Sequence, residues 1–167
     1  FLVYHSGYEV PGSESAGEGA YAAGAQQQGT DRLVQSLRDA GIPRGGNVYA
    51  ELGSTWYILI KRPEEAAHVL GKLLLAVGED NILWGTDSVW YGSAQPLIDA
   101  FRAFHIPEEY QERYGYPALT ESIKNKILGL NAARVYGVDA QQALARSCSD
   151  DLAWIRQAVL EFDQFAS

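Results

Sequence analysis

Three short apolar runs, residues 1–4, 47–52 and 81–85, are nearly continuous rather than alternating, the pattern of strands covered on both faces. Helical periodicity fills the intervals. Thr30 reads as an N-cap with Asp31 in the first turn; Leu33, Val34 and Leu37 then share a face, and Gly41 stops the helix. A second helix starts at Pro63, with Glu64 and Glu65 set against the positive end of its dipole. Its apolar stripe is Ala66, Leu70, Leu73, Leu74 and Val77, closed by Gly78. A third helix covers residues 96–104. Strands alternating with helices predict right-handed βαβ units and a parallel sheet, an α/β fold.

Beyond His105 the alternation stops. Thr120 caps a helix carrying Ile123, Ile127 and Leu128 that is expected to break at Gly129, followed by a short turn over residues 131–136 ending at Gly137. From Ser149 the tail reads as an amphipathic helix with Leu152, Ile155, Val159 and Phe162 on one side, a face expected to pack on the outside of the α/β layer. The connection over residues 5–30 is rich in Gly, Ser, Ala and Gln, and a loop of that length is normally functional or mobile.

Charge narrows the partners. Thirteen basic against 21 acidic residues give a net charge of −8, a field that repels nucleic-acid phosphates and anionic lipid heads. No apolar run approaches the ~20 residues that cross a bilayer. Nucleic acid and membrane are therefore not expected partners, and the expected location is the cytoplasm. A single cysteine, Cys148, forms no internal disulfide and is too few for a thiolate zinc cluster. The chain lacks methionine and opens inside an apolar β-prone run, so it reads as a piece of a longer protein.

In parallel α/β architectures chemistry gathers at the carboxyl ends of the strands. His5 ends the first run, Glu51 lies near the end of the second, and Asp87 follows the third. An imidazole and a carboxylate at one rim suit a divalent metal, or proton transfer to and from a bound water. Other uses are open: His5 bonding a loop carbonyl, and Asp87 capping a turn. Glu51, costly to bury unpaired, is expected to serve a structural salt bridge or hydrogen bond. His68 lies opposite its helix's apolar stripe and is expected to face solvent, while His105 sits near a helix C-terminus. Trp56, Tyr57, Trp84, Trp90 and Tyr91 follow strand ends, where they wall a substrate pocket or simply fill space.

The string Asn81-Ile82-Leu83-Trp84-Gly85-Thr86-Asp87-Ser88 resembles the eighth-strand segment of the amidohydrolase-related metal-dependent hydrolases. Leu128-Gly129-Leu130-Asn131-Ala132-Ala133-Arg134-Val135-Tyr136-Gly137 resembles the Asn-Ala-Ala-Arg-x-Tyr/Phe-Gly ending of that family. Val3-Tyr4-His5-Ser6-Gly7 is similar to its sixth strand and residues 47–54 to its seventh. The resemblance, to a family that includes the aminocarboxymuconate semialdehyde decarboxylase-like branch, spans residues 1–137. It implies strands six to eight of a TIM (β/α)8 barrel with their helices, followed by a helical extension over residues 138–167.

By the same resemblance Asp87 matches the eighth-strand aspartate, a metal ligand and often the group that takes a proton from metal-bound water. His5 matches the sixth-strand histidine, a metal ligand in some branches and an acid/base or substrate-polarising group in others. The implied cofactor is a divalent metal, zinc first. The His-x-His pair of the family's first strand and the histidine of its fifth have no counterpart here, so the expected site is incomplete and the chain by itself inactive. The implied function is that of a fragment of a metal-dependent hydrolase using activated water on a small organic substrate. A metal-dependent decarboxylase (a lyase), or a non-catalytic partner that completes a barrel, stands as the alternative. A homo-oligomer through the tail helix is left open.

Overall fold

The computed structural model describes residues 1–10, 17–23 and 28–166. It divides into two units, Phe1–Asn131 and Ala132–Ser167. In the first, strands β1 (Leu2–Val3), β2 (Tyr49–Glu51) and β3 (Ile82–Leu83) form a parallel sheet in sequence order. Leu2 pairs with Tyr49 and Val3 with Ala50; Ala50 in turn pairs with Ile82 and Glu51 with Leu83. Helix α1 (Gly29–Asp39) lies in the first crossover; α2 (Gly53–Leu59) and α3 (Pro63–Ala76) make up the second. After β3 come α4 (Ser88–Tyr91), α5 (Gln95–Ala103), α6 (Glu108–Tyr114) and α7 (Glu121–Asn125). The expected α/β class and parallel sheet are thus present.

The core lies between β2 and the helices. Ala50, Leu52, Leu59, Leu70, Leu73, Leu74, Phe101 and Ile127 are wholly buried in one apolar cluster. Trp56 sets its ring edge-on against Phe101 at 5.0 Å and donates its indole N–H to the Leu97 carbonyl at 2.9 Å. Of the aromatic residues expected either to wall a pocket or to fill space, Trp56 fills space. Two asparagines stitch the layers through their amide groups. Asn81 donates to the Gly46 and Val48 carbonyls at 2.6 and 2.9 Å, and Asn131 to those of Glu79 and Ile82, both at 2.8 Å. Asn131, the asparagine of the closing motif, therefore pins the start of β3.

Several local expectations are corrected. The strands are shorter than the apolar runs, because the chain turns sharply at Tyr4 and again after Leu83. Thr30 does not cap α1. Gln28 occupies the N-cap, Thr30 is buried inside the first turn, and its N–H is accepted by the Glu18 carboxylate at 2.8 Å. Thr120 does cap its helix, accepting from the Ile123 N–H at 3.3 Å. That helix does not break at Gly129: it runs through a π-helical turn, Lys126–Leu130, into α8 (Asn131–Tyr136). The chain leaves it at Gly137, where φ is 66° and the Val138 N–H returns to the Ala133 carbonyl at 2.8 Å.

The second unit contains α9 (Ala140–Ser147), capped by the Asp139 side chain on the Gln142 N–H at 2.9 Å, and α10 (Ala153–Ala166). Leu152, Ile155, Val159 and Phe162 are exposed. Residues 11–16 and 24–27 of the long first connection lie outside the described residues. Among the described residues no helix is long and apolar enough to cross a membrane.

His68 is the clearest reversal. It is 9% exposed rather than facing solvent, because α6 and the segment after it cover that side of α3. Its ring stacks on Tyr110 at 4.7 Å, meets Tyr114 edge-on at 5.0 Å, and its Nδ1 lies 3.1 Å from the Tyr116 hydroxyl. Burial holds the imidazole below its ordinary value of 6.5, helped by the Lys72 and Arg113 charges and opposed by Glu64 and Asp31. A depressed histidine stabilises the fold fully above the unfolded value, and that contribution is lost as pH falls below it. The urea midpoint should therefore fall between pH 7 and pH 5, and His68→Phe, which keeps the ring but cannot titrate, should flatten part of that fall. Equal pH slopes in the two proteins would contradict the assignment.

Candidate functional site

The site is built on backbone geometry at the strand ends. His5, Ser6 and Asp87 are the only non-glycine residues with positive φ among the described residues, at 55°, 54° and 49°. Left-handed backbone costs a side-chain-bearing residue on the order of 1–3 kcal/mol and persists where the surroundings over-determine it. Here they do. The His5 N–H donates to Glu51 Oε2 at 3.0 Å, and the His5 carbonyl accepts from the Thr55 hydroxyl at 2.7 Å and the Tyr8 N–H at 2.8 Å. The buried Ser6 hydroxyl donates to the Glu51 carbonyl at 2.9 Å. Tyr8 continues the anchorage, donating its hydroxyl to Glu65 Oε1 at 3.0 Å; burial and that carboxylate hold its phenol well above the ordinary range.

Glu51 is 8% exposed, and both carboxylate oxygens are occupied: Oε2 by the His5 N–H, Oε1 by the Gly53 N–H at 2.6 Å. Its role is the hydrogen-bonded one. Space for it is made by two glycines. A Cβ at Gly85 would overlap the Glu51 carboxylate, and one at Gly53 would lie 2.5 Å from His5 Nδ1 and 2.9 Å from Glu51 Oε1.

The expected pair does come together. His5 Nδ1 stands 3.6 Å from Asp87 Oδ2 and 3.7 Å from Glu51 Oε2. That nitrogen is buried and without a hydrogen-bond partner. Asp87 Oδ2 accepts from the Ser54 hydroxyl at 2.5 Å, and Ser54 Oγ lies 3.0 Å from the Tyr91 hydroxyl. Tyr91 is steadied by stacking on Tyr57, centroids 3.7 Å apart and planes 12° off parallel. Asp87 does precede a turn of helix, but its side chain does not cap it. Trp84 leans on Phe101 at 5.2 Å, whereas Trp90 is 80% exposed. His105 is exposed and takes no part in the cluster. Ser54, Gly53 and Gly85 were not singled out from the sequence for this site, and Tyr91 only as an aromatic that walls a pocket or fills space; the Gly53-Ser54 pair two residues after Glu51 hints at a carboxylate needing room and a hydroxyl.

A sequence model described as amidohydrolase matches residues 40–138, more than half of the chain. The chain belongs to the amidohydrolase family. The match takes in Glu51, Ser54, Asp87 and the Asn131–Tyr136 helix, while His5 lies ahead of it. No curated protein and no solved structure matches the chain.

Amidohydrolase membership implies a metal, so the donor set must be tested against one. Among the described residues no group of three or more His, Cys, Asp or Glu side chains is arranged to hold a metal ion. Glu51 Oε2 lies 3.7 Å from His5 Nδ1, and the two Glu51 oxygens also accept the His5 and Gly53 N–H groups. His5 and Asp87 nevertheless fit as two ligands. Zinc–nitrogen and zinc–oxygen bonds are each about 2 Å, so two ligands of one ion lie at most about 4 Å apart. The observed 3.6 Å is inside that limit, and the unpartnered nitrogen is the one facing the carboxylate.

Gly85→Ala should expel the Glu51 carboxylate and cost about 2–3 kcal/mol of stability, read from urea denaturation. Gly129→Ala, where a Cβ meets nothing within 4 Å, should instead be neutral or gain up to about 1 kcal/mol. Wild-type stability in Gly85→Ala would refute the glycine's role.

Proposed function

We propose that this chain contributes to the metal-dependent hydrolytic site of an amidohydrolase acting on a small organic substrate, with His5 and Asp87 as ligands of one divalent cation, zinc first. The observation that carries the reading is the approach of His5 Nδ1 to Asp87 Oδ2, at 3.6 Å, from two strand ends that both adopt left-handed backbone. When bound, such a cation polarises a substrate carbonyl and lowers the pKa of a coordinated water to about 7.

The protein's own groups divide the remaining work. His5 offers a buried ring nitrogen without a hydrogen-bond partner. Ser54 and Tyr91 fix the rotation of the Asp87 carboxylate, so that it is presented as a ligand and a proton acceptor rather than collapsing onto solvent. Glu51 holds the His5 turn against the start of α2 and thereby sets the spacing of the pair. In this reading the strands occupy positions six to eight of a (β/α)8 barrel, and further ligands beyond the pair complete the coordination, because a catalytic zinc normally takes three protein ligands.

Two ligands bind weakly. Calorimetric titration of the 167-residue chain with Zn2+ or Co2+ should show weak binding that His5→Ala and Asp87→Ala each abolish, with Ser54→Ala weakening it about tenfold. Tight stoichiometric binding, or weak binding indifferent to both alanine variants, would overturn the assignment.

A further inference from the structure

Apart from the strand-end cluster, a cavity of about 370 Å³ lies among α1, α3 and the segment after α6. None of the residues of the strand-end cluster lines it. Its size falls within the range of small-molecule pockets. The floor is apolar, formed by Val34, Leu37, Ile42 and Ala76, and Tyr114 and Tyr116 supply aromatic wall. Tyr116 is itself 5% exposed and packed beneath Gly71, which leaves its ring no room to move inward.

The polar groups are what set this cavity apart from a packing fault. Lys72 lines it but is already neutralised, its ammonium 2.7 Å from Glu18 and 2.5 Å from Asp31. Arg38 and Arg44 also line it, and neither has an ion pair or a side-chain hydrogen bond among the described residues. Arg38 lays the face of its guanidinium over Tyr21, 4.2 Å from the ring centre. That contact uses the π face alone and leaves the in-plane N–H edge without an acceptor. Tyr21 is tied to Gln35, and Gln35 to Asp39 at 2.7 Å, so the arginine rests on a fixed support. Arg44 runs along Gly78, where a Cβ would come within 3.0 Å of its Cγ and Nε. In a protein of net charge −8, two pre-positioned guanidinium groups without acids beside an apolar, tyrosine-walled floor form a complementary surface for one kind of molecule.

We infer that this cavity binds a flat aromatic carboxylate, its ring system on the apolar floor and its acid group on Arg38 and Arg44. This site is independent of the strand-end pair and of any metal. The probe is 2-naphthoate, with 2-naphthalenemethanol as its uncharged counterpart, titrated into the 15N-labelled chain and followed by amide shifts. Saturable shifts centred on Val34, Leu37 and Ile42 are expected, with the carboxylate bound about tenfold more tightly than the alcohol. Arg38→Ala and Arg44→Ala should each weaken naphthoate by about that factor, while Arg38→Lys, which keeps the charge but loses the fork, should restore only part. Both arginines are exposed, so thermal melts of the variants should match the wild type. Equal affinity for the alcohol, shifts centred on His5 and Asp87, no saturable shift at millimolar probe, or displacement by inorganic phosphate alone would each overturn the inference.

Discussion

A single buried carboxylate organises the strand ends. Glu51 receives the N–H of His5 from 46 residues away and the N–H of Gly53 from the start of its own following helix. A carboxyl side chain at 8% exposure is costly to bury unless its oxygens are satisfied, and here backbone donors satisfy both. The hydrogen bonds in turn define where the first strand stops and where α2 begins. Gly85, on the third strand's exit, completes the arrangement by presenting no side chain to the carboxylate. All three strand exits thus meet at one acid.

Around that acid the backbone is held in conformations it would not choose. The left-handed turn at His5 and Ser6 is secured by hydrogen bonds from Thr55, Tyr8 and Ser6 and by the one to Glu51. Asp87 is held by the Ser54 hydroxyl, which meets the Tyr91 hydroxyl in turn. Strain concentrated on two side chains that face each other is the pre-organisation on which the proposed cation site rests. The amidohydrolase family match over residues 40–138 takes in Glu51, Ser54 and Asp87 of this cluster, and His5 lies ahead of it.

Much of this was legible in the sequence because burial on both faces writes a continuous apolar run, and strand ends are where a parallel sheet offers its side chains. That reasoning located the three strands and selected His5 and Asp87. The clasp itself was not legible: nothing local says that Glu51 reaches a residue 46 positions earlier, or that the left-handed backbone falls on His5 and Ser6 as well as on the Gly7 that follows. His68 failed for a related reason. Helical periodicity identifies the face opposite the leucines, but whether that face meets water depends on tyrosines about forty residues further on, which close over it. At Gly129 the residue's propensity suggested a stop, yet the π turn carries the helix past it and delivers Asn131 to the carbonyls of Glu79 and Ile82. At Thr30 a distant carboxylate, Glu18, took the donor that local capping would have served.

The most direct test is where a metal goes. Anomalous scattering from crystals of the chain grown with excess cobalt should give one peak bonded to both His5 Nδ1 and an oxygen of Asp87, with Glu51 still on its two backbone donors. A cobalt bound elsewhere, or His5 and Asp87 engaged by separate ions, would contradict the account.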